Sequence, residues 1–411
     1  MTSDAVGGAP LADVRVVDLT TTFMGPYCTL LLAQMGADVV KVESPAGDVV
    51  RYVGDEQGTG LGPVFLNANR GKRSIVLDLK QPTGREVLRR LIDAADVFVH
   101  NMRPDAVTRL RLRPEDVHAA NPRVVYCVVR GFSSAGPYRD KAAYDDVIQA
   151  ACGLAAVQGG PGEPTYVRTP VADKATGLMA VGAIAAALYQ RERTGGGSAI
   201  EVPMLETMVS FTLLDQQGGY VFDPPRGPAG YARTDSPYRR PYRTADGHVG
   251  VMVYTDAQWR SFFDLVGRPE LTEDHRFRMI TARTVHIDEL YRLLEEEVRR
   301  RSTAEWLAAF DARGIPAMPV LTVPGLFGDE HLRATGMFED AVHPTEGSLR
   351  LARFPVDFAG SAHVDLRPAP RLGEHGPEIL AELGDVPEEI DAPGTGYRRA
   401  EPAARPPVAE A

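Results

Sequence analysis

Short β-branched and apolar runs alternate with longer segments of helical periodicity through the first half of the chain. Residues 14–19 read as a strand, 26–35 as a helix and 37–42 as a second strand, a βαβ unit. Residues 74–79 form a third predicted strand, 84–95 a helix, 97–100 a fourth strand, and 123–129 a fifth after another helical connection. Strands alternating with helices predict an α/β fold with a doubly wound, mostly parallel sheet. From Ala175 to Gln190 there is no charge, and Leu178, Met179, Val181, Ile184 and Leu188 sit among alanines. A segment apolar nearly all round predicts a buried core helix. Pro170 bounds it upstream, and Arg191, Arg193 and the glycines from Gly195 mark its end.

Beyond this helix a strand at 199–203 and a helix at 204–217 lead into a turn-rich crossing at 222–230. Asp246-Gly247 is a hairpin signal, followed by a strand to Val253 and helices around 257–266, 284–300 and 302–314. A strand at 316–323 and a turn at 342–347 follow. The expected division is a large Rossmann-like domain from 11–220 and 325–390, a smaller α+β domain at 230–320, and a disordered Pro/Ala-rich tail at 392–411.

Composition narrows the class. With 411 residues, 44% hydrophobic and 24% charged, the chain has the balance of an ordinary globular protein of two domains. A formal net charge of −10 leaves no basic excess to neutralise phosphates, which argues against a nucleic-acid partner. Cys28, Cys127 and Cys152 are widely separated in apolar runs, read as buried thiols in a reducing compartment, with no metal-ligand spacing. The first ten residues lack a basic region followed by an apolar one, so no secretory signal is expected. The uncharged 175–190 stretch is shorter than the roughly 20 residues a bilayer needs. A cytoplasmic protein with no membrane partner is the resulting expectation.

The candidate chemistry centres on Asp173, near the start of the apolar helix. There the positive helix pole and unpaired N–H groups are expected to favour its ionised form. Aspartate is a common helix cap, yet a carboxylate held by a rigid helix is also a candidate nucleophile. The first turn, residues 18–26, lacks G-x-G-x-x-G, which argues against a nicotinamide cofactor; Glu43 after the second strand is a weak substitute signal. Pro26 at the helix start leaves N–H groups facing the loop for an anion. No G-x-S-x-G elbow, H-E-x-x-H pair or cysteine cluster supports a serine hydrolase or a metal enzyme. His100 is a candidate cleft residue beside Asn101; His118, His248, His275, His286, His331, His343 and His363 read as surface residues.

Several short motifs occur together: Asp18-Leu19 with Gly25-Pro26, the run from Gly36 to Glu43, Lys72-Arg73-Ser74-Ile75 with Leu77-Asp78, Asn101, Tyr144-Asp145, Asp173 with Thr176-Gly177, and Leu372-Gly373-Glu374-His375. In combination, from about Leu11 to about Leu383, the chain resembles the family III coenzyme A transferases, the group of formyl-CoA and carnitine CoA transferases. The resemblance implies that Asp173 is the catalytic nucleophile. It implies transfer of CoA from an acyl-CoA donor to a carboxylic acid acceptor, with CoA as substrate, no tightly bound cofactor and no metal. It also implies an interlaced homodimer.

Carried over position by position, the CoA contacts fall at Thr22, Leu77, Lys80, Asn101, Arg109, Tyr144 and Asp145. Two positions depart from the pattern: Ser44 replaces an Arg, and Ala142 replaces a Lys, with Lys141 adjacent. Arg51, Arg70, Lys72 or Arg73 are the expected substitutes in phosphate pairing. Gly218-Gly219 and Gly227 to Gly230 are candidates for the glycine-rich covering loop. The same family contains 2-methylacyl-CoA racemases, whose proton-moving His falls at Tyr144. A phenol is a poor base near neutrality, which favours transfer over racemisation. A non-catalytic CoA-binding protein is the other alternative, and the intact Asp173 counts against it.

Overall fold

The structure, a computed structural model, describes residues 7–384. The tail expected at 392–411 lies outside the described residues. The chain divides into two compact units: one from the segments up to Leu154, Tyr166–Ser210 and from Gly336 onward, the other from Ala155–Thr165 and Phe211–Thr335.

The first unit is built on a six-stranded sheet of β1 (Arg15–Leu19), β2 (Asp38–Glu43), β3 (Lys72–Val76), β4 (Val97–His100), β5 (Val125–Arg130) and β6 (Ser198–Pro203). Its order is β3-β2-β1-β4-β5-β6, and every neighbouring pair is parallel. This is the expected doubly wound arrangement, reversing direction between β1 and β4. Successive side chains alternate between faces, so each strand feeds two cores. Val16, Val39, Val97, Val125 and Cys127 pack with Cys28, Leu32 and Ile184 on one side. Val17, Val40, Phe98 and Tyr126 pack with Val87, Leu88, Leu91 and Ile379 on the other. Residues past Gly336 add an antiparallel hairpin, β10 (Phe338–His343) with β11 (Gly347–Ala352), and a helix at Gly376–Glu382. That helix is tied to β3 where the His375 N–H donates to the Ser74 carbonyl at 2.9 Å.

Two expectations need correction. The helix Val171–Thr194 is not apolar-buried all round. Ala172, Thr176, Ala180, Ile184 and Leu188 form a buried stripe at helical spacing, whereas Leu178, Met179 and Tyr189 are more than half exposed. Its alanine-rich sequence hides a one-sided amphipathicity, because alanine serves both faces. Among the described residues it is the one helix long and apolar enough to cross a membrane, and its buried stripe packs into the core of the first unit. His343, read as a surface residue, is buried, its Nε2 bonded to the Ala369 carbonyl and its Nδ1 accepting from the Thr345 and Glu346 N–H groups. The two Nδ1 bonds shape the hairpin turn, and the Nε2 bond ties it to Ala369.

The second unit contains a three-stranded antiparallel sheet, β7 (Tyr242–Arg243), β8 (His248–Val251) and β9 (Ala317–Pro319). The expected 316–323 strand is shorter because Pro319 ends it and a helical turn follows at Val323–Leu326. Helices Asp256–Leu265, Ile287–Val298 and Thr303–Asp311 pack Trp259, Phe262, Phe263, Leu294, Trp306 and Phe310 into one apolar cluster. Capping boxes at Thr255/Gln258 and Ser302/Glu305 set two of these helix starts.

Candidate active site

Along β1 and β2, just past the end of β2 and at the start of β3 the sheet holds ionised side chains where apolar ones are usual. Asp18, Glu43 and Asp48 face Lys41, Arg51 and Lys72, all of them buried. Asp18 accepts from the Thr20 N–H at 2.9 Å and from the Thr20 and Thr29 hydroxyls at 2.5 and 2.6 Å, and pairs with Lys72 at 3.1 Å. Burial alone would raise its pKa, but Lys72, Lys41 and the two hydroxyls bring it down to about 2. Arg51 grips Glu43 through both its Nε and Nη2 at 2.7 and 2.6 Å, over the Phe65 ring. Lys41 pairs with Asp48 at 3.1 Å and donates to the Thr20 carbonyl at 2.9 Å. With every charge matched, the network spaces the strand ends and fixes the loop between β1 and the helix Met24–Gln34.

A cleft of about 600 Å³ opens beyond those strand ends. It lies where the strand order reverses, the position at which doubly wound sheets bind ligands, and its volume suits a small-molecule site. Leu19 ends β1 and Thr21 follows it; Val42 and Glu43 end β2 and Ser44 follows it; Leu77 to Lys80 follow β3; Asn101 and Met102 follow β4. Arg85 comes from the helix Pro82–Asp93, and Arg109 and Leu110 from the helix Pro104–Leu110. The cleft thus combines apolar walls with three cations, Lys80, Arg85 and Arg109, and three carboxylates, of which Glu43 and Asp48 are paired with Arg51 and Lys41 and Asp78 accepts from the Lys80 N–H at 3.0 Å. The cations suit an anionic ligand with an apolar body.

Asp173 is the third residue of the helix Val171–Thr194. Its carboxylate does not cap that helix. The cap is Asp145, from the helix Asp145–Ala151, whose Oδ1 accepts from the Ala172 and Asp173 N–H groups at 2.7 and 3.0 Å. Its Oδ2 accepts from the Gln149 amide at 2.5 Å, and Gln149 in turn accepts from the Val167 N–H at 2.9 Å. Val171 and Lys174 donate to the carbonyls of Thr169 and Pro170. All four N–H groups of the first turn are therefore occupied, and the ionised state expected for Asp173 is corrected. Burial, with the neighbouring Asp145 charge, raises its pKa to about 7. One turn on, on the same face, Gly177 lies so close to the first helix that a Cβ there would stand 2.9 Å from the Met24 carbonyl oxygen. Only glycine permits that approach. The Asp173 face of the helix therefore rests on the segment that directly follows the cleft loop.

Of the residues expected to hold the ligand, Leu77, Lys80, Asn101 and Arg109 share the cleft. Thr22 is not among its lining residues, although Thr21 is, and the Thr22 N–H donates to Asp48. Tyr144, exposed at the cap of its helix, and Asp145 and Asp173 also lie outside that lining. The expected phosphate substitutes are corrected. Arg51 and Lys72 are consumed by Glu43 and Asp18, Arg73 by Asp38 and Glu382, and Arg70 is buried with an N–H directed at the Ala352 carbonyl. Sequence reasoning missed Arg85. Its position in the first turn after Asp78-Leu79-Lys80 was the available signal, and its Nη1 holds that turn through the Leu79 and Lys80 carbonyls at 3.1 and 2.8 Å.

Comparison with known proteins agrees with this geometry. Residues 11–376 match the model for CoA-transferase family III. The chain is 34% identical over 387 residues to a succinate–glutarate CoA-transferase of Agrobacterium fabrum, covering 92% of this chain and 96% of the relative. It is likewise 34% identical over 400 residues to a formyl-CoA:oxalate CoA-transferase of Streptomyces avermitilis, covering 92% and 97%. A CaiB/BaiF family protein from Brucella suis superposes with a TM-score of 0.77 at 33% identity, covering 92% of this chain and all of the other. The chain belongs to CoA-transferase family III and is a CoA-transferring enzyme.

Proposed function

We propose that the enzyme moves CoA between a short acyl-CoA and a small carboxylate, with Asp173 as the nucleophile. The observation that carries the reading is a partly desolvated carboxylate on a rigid helix whose face rests on the segment bordering a cationic cleft. An Asp173 oxygen attacks the donor thioester carbonyl, the C–S bond breaks and CoA thiolate leaves a mixed anhydride. The thiolate then attacks the aspartyl carbonyl, releasing the donor acid and leaving Asp173 as a CoA thioester. The acceptor carboxylate reverses both steps and frees Asp173. One thioester replaces another, so the protein mainly orients reactants. Lys80, Arg85 and Arg109 pair with CoA phosphates, and the apolar walls take the adenosine and pantetheine. The donors that stabilise the oxyanions are not the first-turn N–H groups, since those are occupied.

The names of the relatives support short dicarboxylates as substrates. Succinyl-CoA assayed with glutarate, mesaconate and oxalate, with acyl-CoA products separated by chromatography, tests this; absence of transfer to every acceptor contradicts it. The nucleophile must be ionised, so kcat/KM is expected to rise about tenfold per pH unit below about 7 and to level above it. Stability runs the other way. Because the folded pKa lies above the unfolded one, the contribution of protonated Asp173 is complete below about pH 4 and is lost as pH rises through about 7. A flat rate profile between pH 5 and pH 8 contradicts the assignment.

The protein is further read as a homodimer with interlaced chains, in a reducing, cytoplasmic setting. Leu178, Met179 and Tyr189 leave an uncovered apolar helix face, and the three cysteines are buried thiols. Sedimentation over a wide dilution range is expected to give dimer and no folded monomer. A compact monomer contradicts the interlacing.

A further inference from the structure

Among the described residues only two non-glycine residues have a positive φ, and one of them, Thr22 at 77°, sits in the loop that borders the cleft. A β-branched residue is poorly suited to that region and persists there only when its surroundings over-determine it. Here they do. The Thr22 N–H donates to both oxygens of Asp48, at 3.1 and 3.2 Å. Asp48 is 1% exposed, and Lys41 ties its Oδ2 to the Thr20 carbonyl. The Val50 N–H occupies Asp48 Oδ1 as well, at 3.2 Å. The Asn101 amide closes on Thr21 from the other side, donating to its carbonyl at 3.0 Å and accepting from its N–H at 3.2 Å.

From this geometry we infer that Asp48, braced by Lys41, is a positioning residue that holds Thr22 in the left-handed conformation and so presets the cleft wall for CoA. Asp48 itself borders the cleft, but at 1% exposure and with both oxygens occupied by protein donors it acts through the loop. Were Thr22 to relax to negative φ, the Thr21–Thr22 peptide would rotate and the Asn101 bond to the Thr21 carbonyl would break. Each binding event would then have to restore the strained loop, at the expense of affinity. The inference rests on the proposed use of the cleft by CoA.

The test is a double-mutant cycle read by calorimetric titration of the whole protein with free CoA. Asp48→Asn in the native background is expected to weaken CoA binding about tenfold and to change kcat less than KM. Glycine reaches positive φ without penalty, so in a Thr22→Gly background the same substitution should cost less than about threefold. Should Asp48→Asn fail to fold because Lys41 is stranded, the paired variant Lys41→Met/Asp48→Leu removes both charges and serves in the same cycle. An equal loss in both backgrounds, or no loss in either, overturns the inference. Failure of the native enzyme to bind CoA overturns instead the reading on which it rests.

Discussion

Asp173→Ala is expected to lower CoA transfer on the order of 10⁴-fold or more while leaving CoA binding within about threefold. The separation follows from where the groups sit. Asp173 is not among the residues lining the cleft, so its removal takes away the attacking oxygen and leaves the pairing cations in place. The substitution should not unfold the protein either, because Asp145, and not Asp173, caps the helix Val171–Thr194. Above pH 7 the alanine variant should melt no lower than the native enzyme, since it no longer ionises a buried carboxyl beside Asp145. Stopped transfer with intact calorimetric CoA binding is the expected pair of results. Near-native turnover contradicts the role, and joint loss of turnover and binding moves Asp173 from chemistry to architecture.

Asp18→Ala is expected to cost about 3–5 kcal/mol of stability, a large share of the roughly 5–15 kcal/mol that separates folded from unfolded protein. The substitution strands Lys72, which is fully buried and otherwise held by the Pro26 carbonyl and Asn69. It also deprives the Thr20 N–H and hydroxyl of their acceptor and the Thr29 hydroxyl of its shortest bond. Removing the pair together, as Asp18→Leu with Lys72→Met, should cost much less, because no charge is left unmatched. Urea unfolding of the three proteins checks this as a shift in midpoint. Equal losses for the single and paired variants would contradict the ion pair as the source of the effect. Since the folded pKa of Asp18 is below the unfolded one, its contribution is present above about pH 4 and lost as pH falls through about 2.

The parallel sheet was legible in the sequence because Val16-Val17, Val39-Val40, Phe98-Val99 and Cys127-Val128 are short apolar runs separated by helical spacings, the pattern of strands with helices on both faces. Leu77, Lys80, Asn101 and Arg109 were expected from the family resemblance alone; they share one cleft because Leu77, Lys80 and Asn101 follow strand ends and Arg109 stands on the helix after β4. The states of the charged residues were not. Nothing local distinguishes Lys72 and Arg73, sunk in ion pairs, from Lys80 and Arg85, which line the cleft; the distinction is made by carboxylates 30 or more residues away in sequence, Asp18, Asp38 and Glu382. The raised pKa of Asp173 escaped for the same reason. Position near a helix start argued for ionisation, but Asp145, 28 residues earlier, accepts the N–H groups that would have favoured it. The exposed face of the long helix was hidden by its alanines, and the strain at Thr22 by a loop of three threonines that carries no turn signature.

The central claim is covalent: CoA passes through Asp173. The most direct measurement is mass spectrometry of the peptide spanning Asp173, after incubation with succinyl-CoA in the absence of acceptor and again after borohydride. The account predicts a CoA thioester on Asp173, converted by borohydride to the alcohol homoserine at that position, and neither change in the Asp173→Ala variant. An unmodified Asp173, under conditions in which transfer to an added acceptor is measurable, would contradict it.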